Sequence, residues 1–166
     1  MSEKVSSKND ANKKVEKTET EEKQQVILIN KFLVEIFNDI LTIEQKAVSE
    51  GVFKDLSITE IHTIEVIGLY KARTMSEVAN DLKITVGTLT TAINNLVKKG
   101  YVIRKRIEED RRVVMIELTQ KGQIAHRMHS LFHSNMVKQT IKGLNVDEEK
   151  ILMESLKKLN VFLKSV

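Results

Sequence analysis

The sequence predicts a mainly α fold: a winged helix-turn-helix with flanking helices that form a dimerisation domain. Three observations predict it. No proline interrupts the 166 residues, where ordinary usage of roughly 5% would supply about eight, so long uninterrupted helices are expected. Two consecutive segments carry hydroxyl-type helix starts with only a brief connection between them. The hydrophobic period then switches from about 3.6 to about 2 residues, the change from helix to strand.

Residues 1–25 carry few apolar side chains (Met1, Val5 and Val15) among lysines and acids. Such a stretch cannot bury enough surface to offset its ordering entropy, and it reads as a disordered charged tail. From residue 26 the spacing of Leu28, Ile29, Phe32, Leu33, Ile36, Phe37, Ile40 and Leu41 is that of an amphipathic helix, which Gly51 ends. Residues 26–55 are the N-terminal dimerisation helix.

Residues 56–119 form the winged helix-turn-helix domain. Ser57-Ile-Thr-Glu60 and Thr74-Met-Ser-Glu77 both match the capping box, in which a hydroxyl and a glutamate satisfy the free amides of a first helical turn. The first opens a helix ending near Gly68, and the second a short helix with Val78 and Leu82 turned inward. Thr85 caps a further helix over residues 86–99, closed by Gly100 in a left-handed conformation. Residues 101–107 and 113–118 are rich in β-branched side chains and read as two strands joined by the charged loop 108–112. Helical spacing resumes over residues 120–166, where Gly143 ends one helix and Asn145-Val-Asp-Glu148 starts the last. The flanking helices carry wide apolar faces that nothing adjacent in sequence covers, which predicts a homodimer.

The formal net charge of +4 lies in one segment. Residues 98–112 hold seven basic side chains (Lys98, Lys99, Arg104, Lys105, Arg106, Arg111 and Arg112) against Glu108, Glu109 and Asp110, while the remainder of the chain balances. A charge run of this kind is either a solvated face or an anion-binding surface. The neighbouring helix favours the second reading. Ile93 and Leu96 fall on one side with Leu89, and the outward face is made of Gly87, Thr88, Thr91, Asn94, Asn95 and Lys98, with Thr90 joining the candidate contacts. A purely solvated face would favour Glu, Lys and Gln, which form helix better. Short hydroxyls and amides suit phosphates and base edges: Asn bonds adenine bidentately, and the Thr methyl meets the thymine methyl. Gly87 allows the helix start to approach a phosphate closely. In the hairpin, arginines at the tip of a ribbon can enter a narrow A·T-rich minor groove. Asp110 either orients one of them or caps the turn. Lys98, Lys99, Arg104 and Arg106 are expected on phosphates. The partner these residues select is double-stranded DNA.

Glu109-Asp-Arg-Arg-Val-Val-Met-Ile-Glu-Leu-Thr-Gln-Lys-Gly122, following Asn95-Leu-Val-Lys-Lys-Gly-Tyr101, resembles the wing signature of the MarR family of dimeric winged-helix repressors. The resemblance spans about residues 26–165. It implies that Arg112 enters the minor groove with Asp110 as its partner. Residues 53–68, 87–96 and 124–133 are more narrowly similar to the fatty-acid-biosynthesis repressors of low-GC Gram-positive bacteria. That similarity implies a palindromic operator and long-chain acyl groups on acyl carrier protein as corepressor. The charged tail departs from the family pattern.

His126, His129 and His133 stand at i, i+3 and i+7 on one helix. This face can be structural, can line an effector pocket or carrier-docking surface, or can hold a transition metal. No carboxylate follows at suitable spacing within that helix, so no metal is assigned. His62, His126, Arg127, His129 and His133 are the candidate effector or docking residues, a choice the resemblance favours.

The sequence contains no cysteine, which excludes disulfides, thiolate metal sites and thiol sensing. No apolar run spans a membrane and no signal-peptide core is present, so a soluble, cytoplasmic protein without membrane contact is expected. Paired carboxylates, phosphate-binding glycine loops and nucleophile–base arrangements are not found, and neither an enzyme nor a cofactor is expected. The reading is a transcriptional repressor with acyl-acyl carrier protein as corepressor. The alternative keeps the fold and has a small aromatic or antibiotic-like ligand release the DNA.

Overall fold

The computed structural model describes the backbone of residues 3–106 and 113–165, with side chains for residues 21–105 and 113–165. Six helices and three strands follow in the order α1 (Glu3–Glu50), α2 (Ile58–Ile67), β1 (Arg73–Thr74), α3 (Met75–Asp81), α4 (Val86–Lys98), β2 (Val102–Arg106), β3 (Val114–Leu118), α5 (Gln120–Thr140) and α6 (Val146–Ser165) among the described residues. The chain divides into two compact units, Met1–Ile58 and Thr59–Val166.

The first unit is dominated by α1. Its backbone is helical from Glu3, so residues 3–25 lie in helix where composition predicts a disordered tail. The reason is that composition measures how little this stretch can bury, whereas helix formation needs only local bonds. No glycine or proline occurs before Gly51, and Glu, Lys, Gln and Ala are good helix formers. Residues 26–43 of the same helix leave Ile29, Phe32, Phe37 and Leu41 each more than half exposed.

In the second unit the caps fall where local chemistry puts them. Thr74 Oγ1 accepts from the Glu77 amide while the Glu77 carboxylate accepts from the Thr74 amide, a complete capping box. Thr85 caps α4 through the Thr88 amide, Thr119 caps α5 through the Gly122 amide, and Asn145 with Glu148 reproduces the reciprocal pattern at α6. Gly68, Gly100 and Gly143 all take positive φ at helix ends, as left-handed C-terminal residues do.

The sheet order is β1-β3-β2, antiparallel throughout, with Val102 opposite Leu118 and Arg104 opposite Ile116. Strand β1, two residues long and paired to Ile116 and Met115, is absent from the sequence reading. It brings the start of α3 onto the ribbon. Ile64, Ile67, Val78, Leu89, Ile93, Leu96, Tyr101, Val102 and Ile116 are each at most 1% exposed and constitute the core of the winged module. At roughly 1.5–3 kcal/mol per large apolar side chain buried, this cluster supplies the main stabilisation of the module. By contrast α6 buries no side chain, and its Ile151, Leu156, Phe162 and Leu163 remain more than half exposed.

Candidate nucleic-acid interface

Leu89, Ile93 and Leu96 of α4 are each fully buried, so the opposite face of the helix must point outward. Gly87, Thr88, Thr91, Asn94, Asn95 and Lys98 are exposed there, as the spacing predicts. The turn joining α3 to α4 is held by Ile84 N–H donating to Ala79 O at 3.0 Å, with Lys83 in the left-handed region at φ 55°. Gly87 has open space around it: an added Cβ would meet only Thr85 Oγ1, at 3.7 Å. Nothing among the described residues therefore requires glycine at this position.

Two hydroxyls of the face are already engaged. Thr90 Oγ1 donates to Val86 O at 2.7 Å, and Thr88 Oγ1 lies 2.9 Å from Thr85 Oγ1. Thr90 is half-buried and offers its methyl more readily than its hydroxyl. Together with Val86, Thr74, Met75, Ser76, Arg104, Val113 and Val114 it lines a groove of about 700 Å³ between α4 and the ribbon. Among the described residues Arg104 is the exposed cation lining that groove, and it comes from the same strand face as buried Val102. The backbone of Arg106 pairs with Val114 at the far end of the ribbon. Asp110, Arg111 and Arg112 lie outside the described residues.

Lys99, expected on a phosphate, is placed differently. Its Nζ donates to both Glu60 oxygens, at 2.7 and 2.9 Å, and Glu60 is 5% exposed. Lys99 is thus a positioning residue that ties the end of α4 to α2. Lys121 reinforces the junction, donating to Lys99 O at 3.0 Å while its ammonium sits 3.9 Å from the Tyr101 ring centroid. Gly122 permits the close approach of α5, because a Cβ there would overlap the Tyr101 carbonyl oxygen. Arg73 performs a similar service for α3, donating to Val66 O at 2.8 Å and to Asp81 Oδ2 at 2.7 Å. None of these ties is apparent from sequence, since each joins residues of separate elements.

Of the candidate effector residues, the structure brings together His62, His129 and His133. The ring centroids of His129 and His133 are 4.5 Å apart, and those of His62 and His129 are 5.8 Å apart. Glu65 joins them, with Oε2 3.3 Å from His129 Nε2. It was legible only as a carboxylate at i+3 from His62. His126 is not part of the group and faces Ser130, with Nδ1 to Oγ at 3.4 Å. Arg127 is exposed. No helix among the described residues is long and apolar enough to cross a membrane.

Two helices joined by a tight turn, with an antiparallel ribbon beside the second, define the winged helix-turn-helix class. A family model for the transcriptional regulators SarA and Rot matches residues 52–131. The chain is similar to FabT of Streptococcus pneumoniae, solved in complex with DNA, at 45% identity and a TM-score of 0.79, covering 82% of this chain and 96% of that one. The HTH-type transcriptional regulator BilQ of Clostridium symbiosum is 28% identical over 125 residues, 75% of this chain and 85% of the relative. A MarR family protein from Bacillus stearothermophilus, at 17% identity and a TM-score of 0.71 over 86% of this chain and 97% of that one, shares the fold. The chain belongs to the MarR family of winged-helix transcriptional regulators.

Proposed function

We propose that this regulator is a cytoplasmic homodimer that binds a palindromic, A·T-rich operator and represses fatty-acid-biosynthesis genes, with long-chain acyl-acyl carrier protein as corepressor. The observation that carries the DNA reading is the outward face of α4, where Thr91, Asn94, Asn95 and Lys98 stand exposed beside the Arg104 groove. Asn94 and Asn95 read base edges, and Lys98, Arg104 and Arg106 take phosphates. Gly87 lets the α4 amides approach a phosphate, and Arg111 and Arg112 with Asp110 supply the wing contact. The half-exposed apolar side chains of α1 and α6 support the dimer, since surfaces of this kind are buried in association. A two-fold dimer places two reading helices about one helical turn apart on a palindrome.

The lipid assignment rests on the 45% identity to FabT over most of both chains. Acyl carrier protein is acidic, and exposed Arg127 on α5 is the basic residue assigned to docking it. The corepressor would favour the dimer conformation whose wing spacing matches two half-sites, a population shift that requires differential affinity for that conformation.

The test is fluorescence anisotropy of a labelled promoter fragment from a fatty-acid-synthesis operon, titrated with the full chain alone, with holo-acyl carrier protein, and with its long-chain acyl form. The acyl form should tighten binding and the holo form should not. Equal affinity in all three titrations would overturn the corepressor assignment, and release of DNA by an aromatic ligand would replace it.

A further inference from the structure

His129 and His133 of α5 converge with Glu65 of α2, all within the second unit. The histidines stand at i and i+4, one turn apart on a single face. Their Nε2 atoms are 3.1 Å apart, and His129 Nε2 is 3.3 Å from Glu65 Oε2. One ligand atom from each of the three residues lies within 4.8 Å of the other two. With zinc–nitrogen bonds of about 2.0–2.1 Å in a tetrahedral site, neighbouring ligand atoms stand about 3.3 Å apart. Two of the three edges of the triangle already have that length. The sequence assigns no metal here because α5 offers no carboxylate at suitable spacing; the carboxylate comes from α2 instead.

The proton count points the same way. His129 Nε2 faces an imidazole nitrogen and a carboxylate oxygen at nearly equal distances. Whichever of the two imidazole nitrogens carries the hydrogen, one hydrogen cannot serve both contacts. A divalent cation satisfies all three atoms at once. His129 is 5% exposed whereas the Glu65 side chain is 47% exposed, so a rigid, desolvated ligand is paired with one free to adjust. Two imidazoles and one carboxylate suit zinc among the biologically common divalent metals.

We propose that Glu65, His129 and His133 form a binding site for a divalent transition metal, zinc foremost, that clamps α5 to α2. The His62 ring lies beside that of His129, with centroids 5.8 Å apart. Helix α2 also bears Glu60, which holds Lys99 at the end of the reading helix, so the clamp acts on the element that anchors α4. This inference is independent of the acyl-carrier reading.

The test uses the full chain, freed of metal with a chelator and titrated with zinc sulfate by calorimetry, with cobalt(II) as an optical probe of coordination. One zinc per chain should bind, Tm should rise on saturation because only the folded chain holds the site, and cobalt should give the intense visible bands of a four-coordinate centre. Glu65→Gln, isosteric at a half-exposed position, and His133→Ala should each weaken zinc binding by about tenfold or more. His126→Ala, on the same helix but outside the cluster, should retain the affinity. Circular dichroism of the metal-free variants controls for folding, and Glu65→Gln keeps the test decisive if His133→Ala is unstable. Absence of saturable binding, or zinc affinity that Glu65→Gln leaves unchanged, would overturn the proposal.

Discussion

Lys99 and Glu60, 39 residues apart in sequence, meet in a two-pronged ion pair, with Nζ 2.7 and 2.9 Å from the two carboxylate oxygens. The Glu60 side chain is 7% exposed and that of Lys99 is 32% exposed. The two partners therefore differ in what their removal costs. Lys99→Ala leaves the buried carboxylate without this cation and should destabilise the fold by about 3 kcal/mol. Glu60→Gln leaves an ammonium that can reach solvent on its flexible stem, and should cost about 1–2 kcal/mol. Urea denaturation of both variants checks the order. A larger loss in Glu60→Gln would mean that the carboxylate is better solvated than its burial implies.

The contrast between two glycines separates packing from DNA contact. At Gly122 an added Cβ would overlap the Tyr101 carbonyl and come within 3.2 Å of Leu118 Cβ, so Gly122→Ala should destabilise by about 2–3 kcal/mol. Its urea midpoint should fall with the slope unchanged.

Gly87→Ala should do the reverse for stability. The position is open, and replacing a helical glycine gains up to about 1 kcal/mol. Operator affinity should nevertheless fall, because on the proposed contact the methyl group would stand between the α4 amides and a phosphate. A variant both more stable and equally tight on DNA would remove Gly87 from the interface.

The Glu77 carboxyl is held below its ordinary value, first by the hydrogen bond from the Thr74 amide and then by that from the Thr74 hydroxyl. A carboxyl whose pKa is lower folded than unfolded binds fewer protons in the native state, so stability rises with pH through this group. Its contribution is complete above the ordinary glutamate range and is lost as pH falls through the depressed folded value. The stability difference between the natural chain and Glu77→Gln should accordingly shrink on acidification below the ordinary glutamate range. A difference constant with pH would show that the capping carboxylate is not the source.

How much of this was legible depended on the range of the interactions. Thr74, Thr85, Thr119 and Asn145 each bond an amide two or three residues ahead, and such starts can be read from a few letters. The inward row Leu89, Ile93 and Leu96 follows from helical spacing and is fully buried. Strand β1 has two residues, too few to display a period. The anchors Glu60, Arg73 and Glu65 stayed hidden because their partners lie on other elements. The sequence places Lys99 on a phosphate for the same reason: a basic run does not reveal which of its members has an internal partner.

Asn94 and Lys98 occupy the same exposed face of α4 yet should fail differently. An amide reading a base edge contributes discrimination, so Asn94→Ala should cost about 1–3 kcal/mol on the operator and little on unrelated DNA. An ammonium on a phosphate contributes affinity irrespective of sequence and releases a counterion. Lys98→Ala should weaken operator and unrelated DNA alike, and should reduce the slope of log K against log salt by about 1. Anisotropy titrations over a salt series on both DNAs separate the two. An unchanged salt slope for Lys98→Ala, or an equal loss on both DNAs for Asn94→Ala, would exchange or remove these roles.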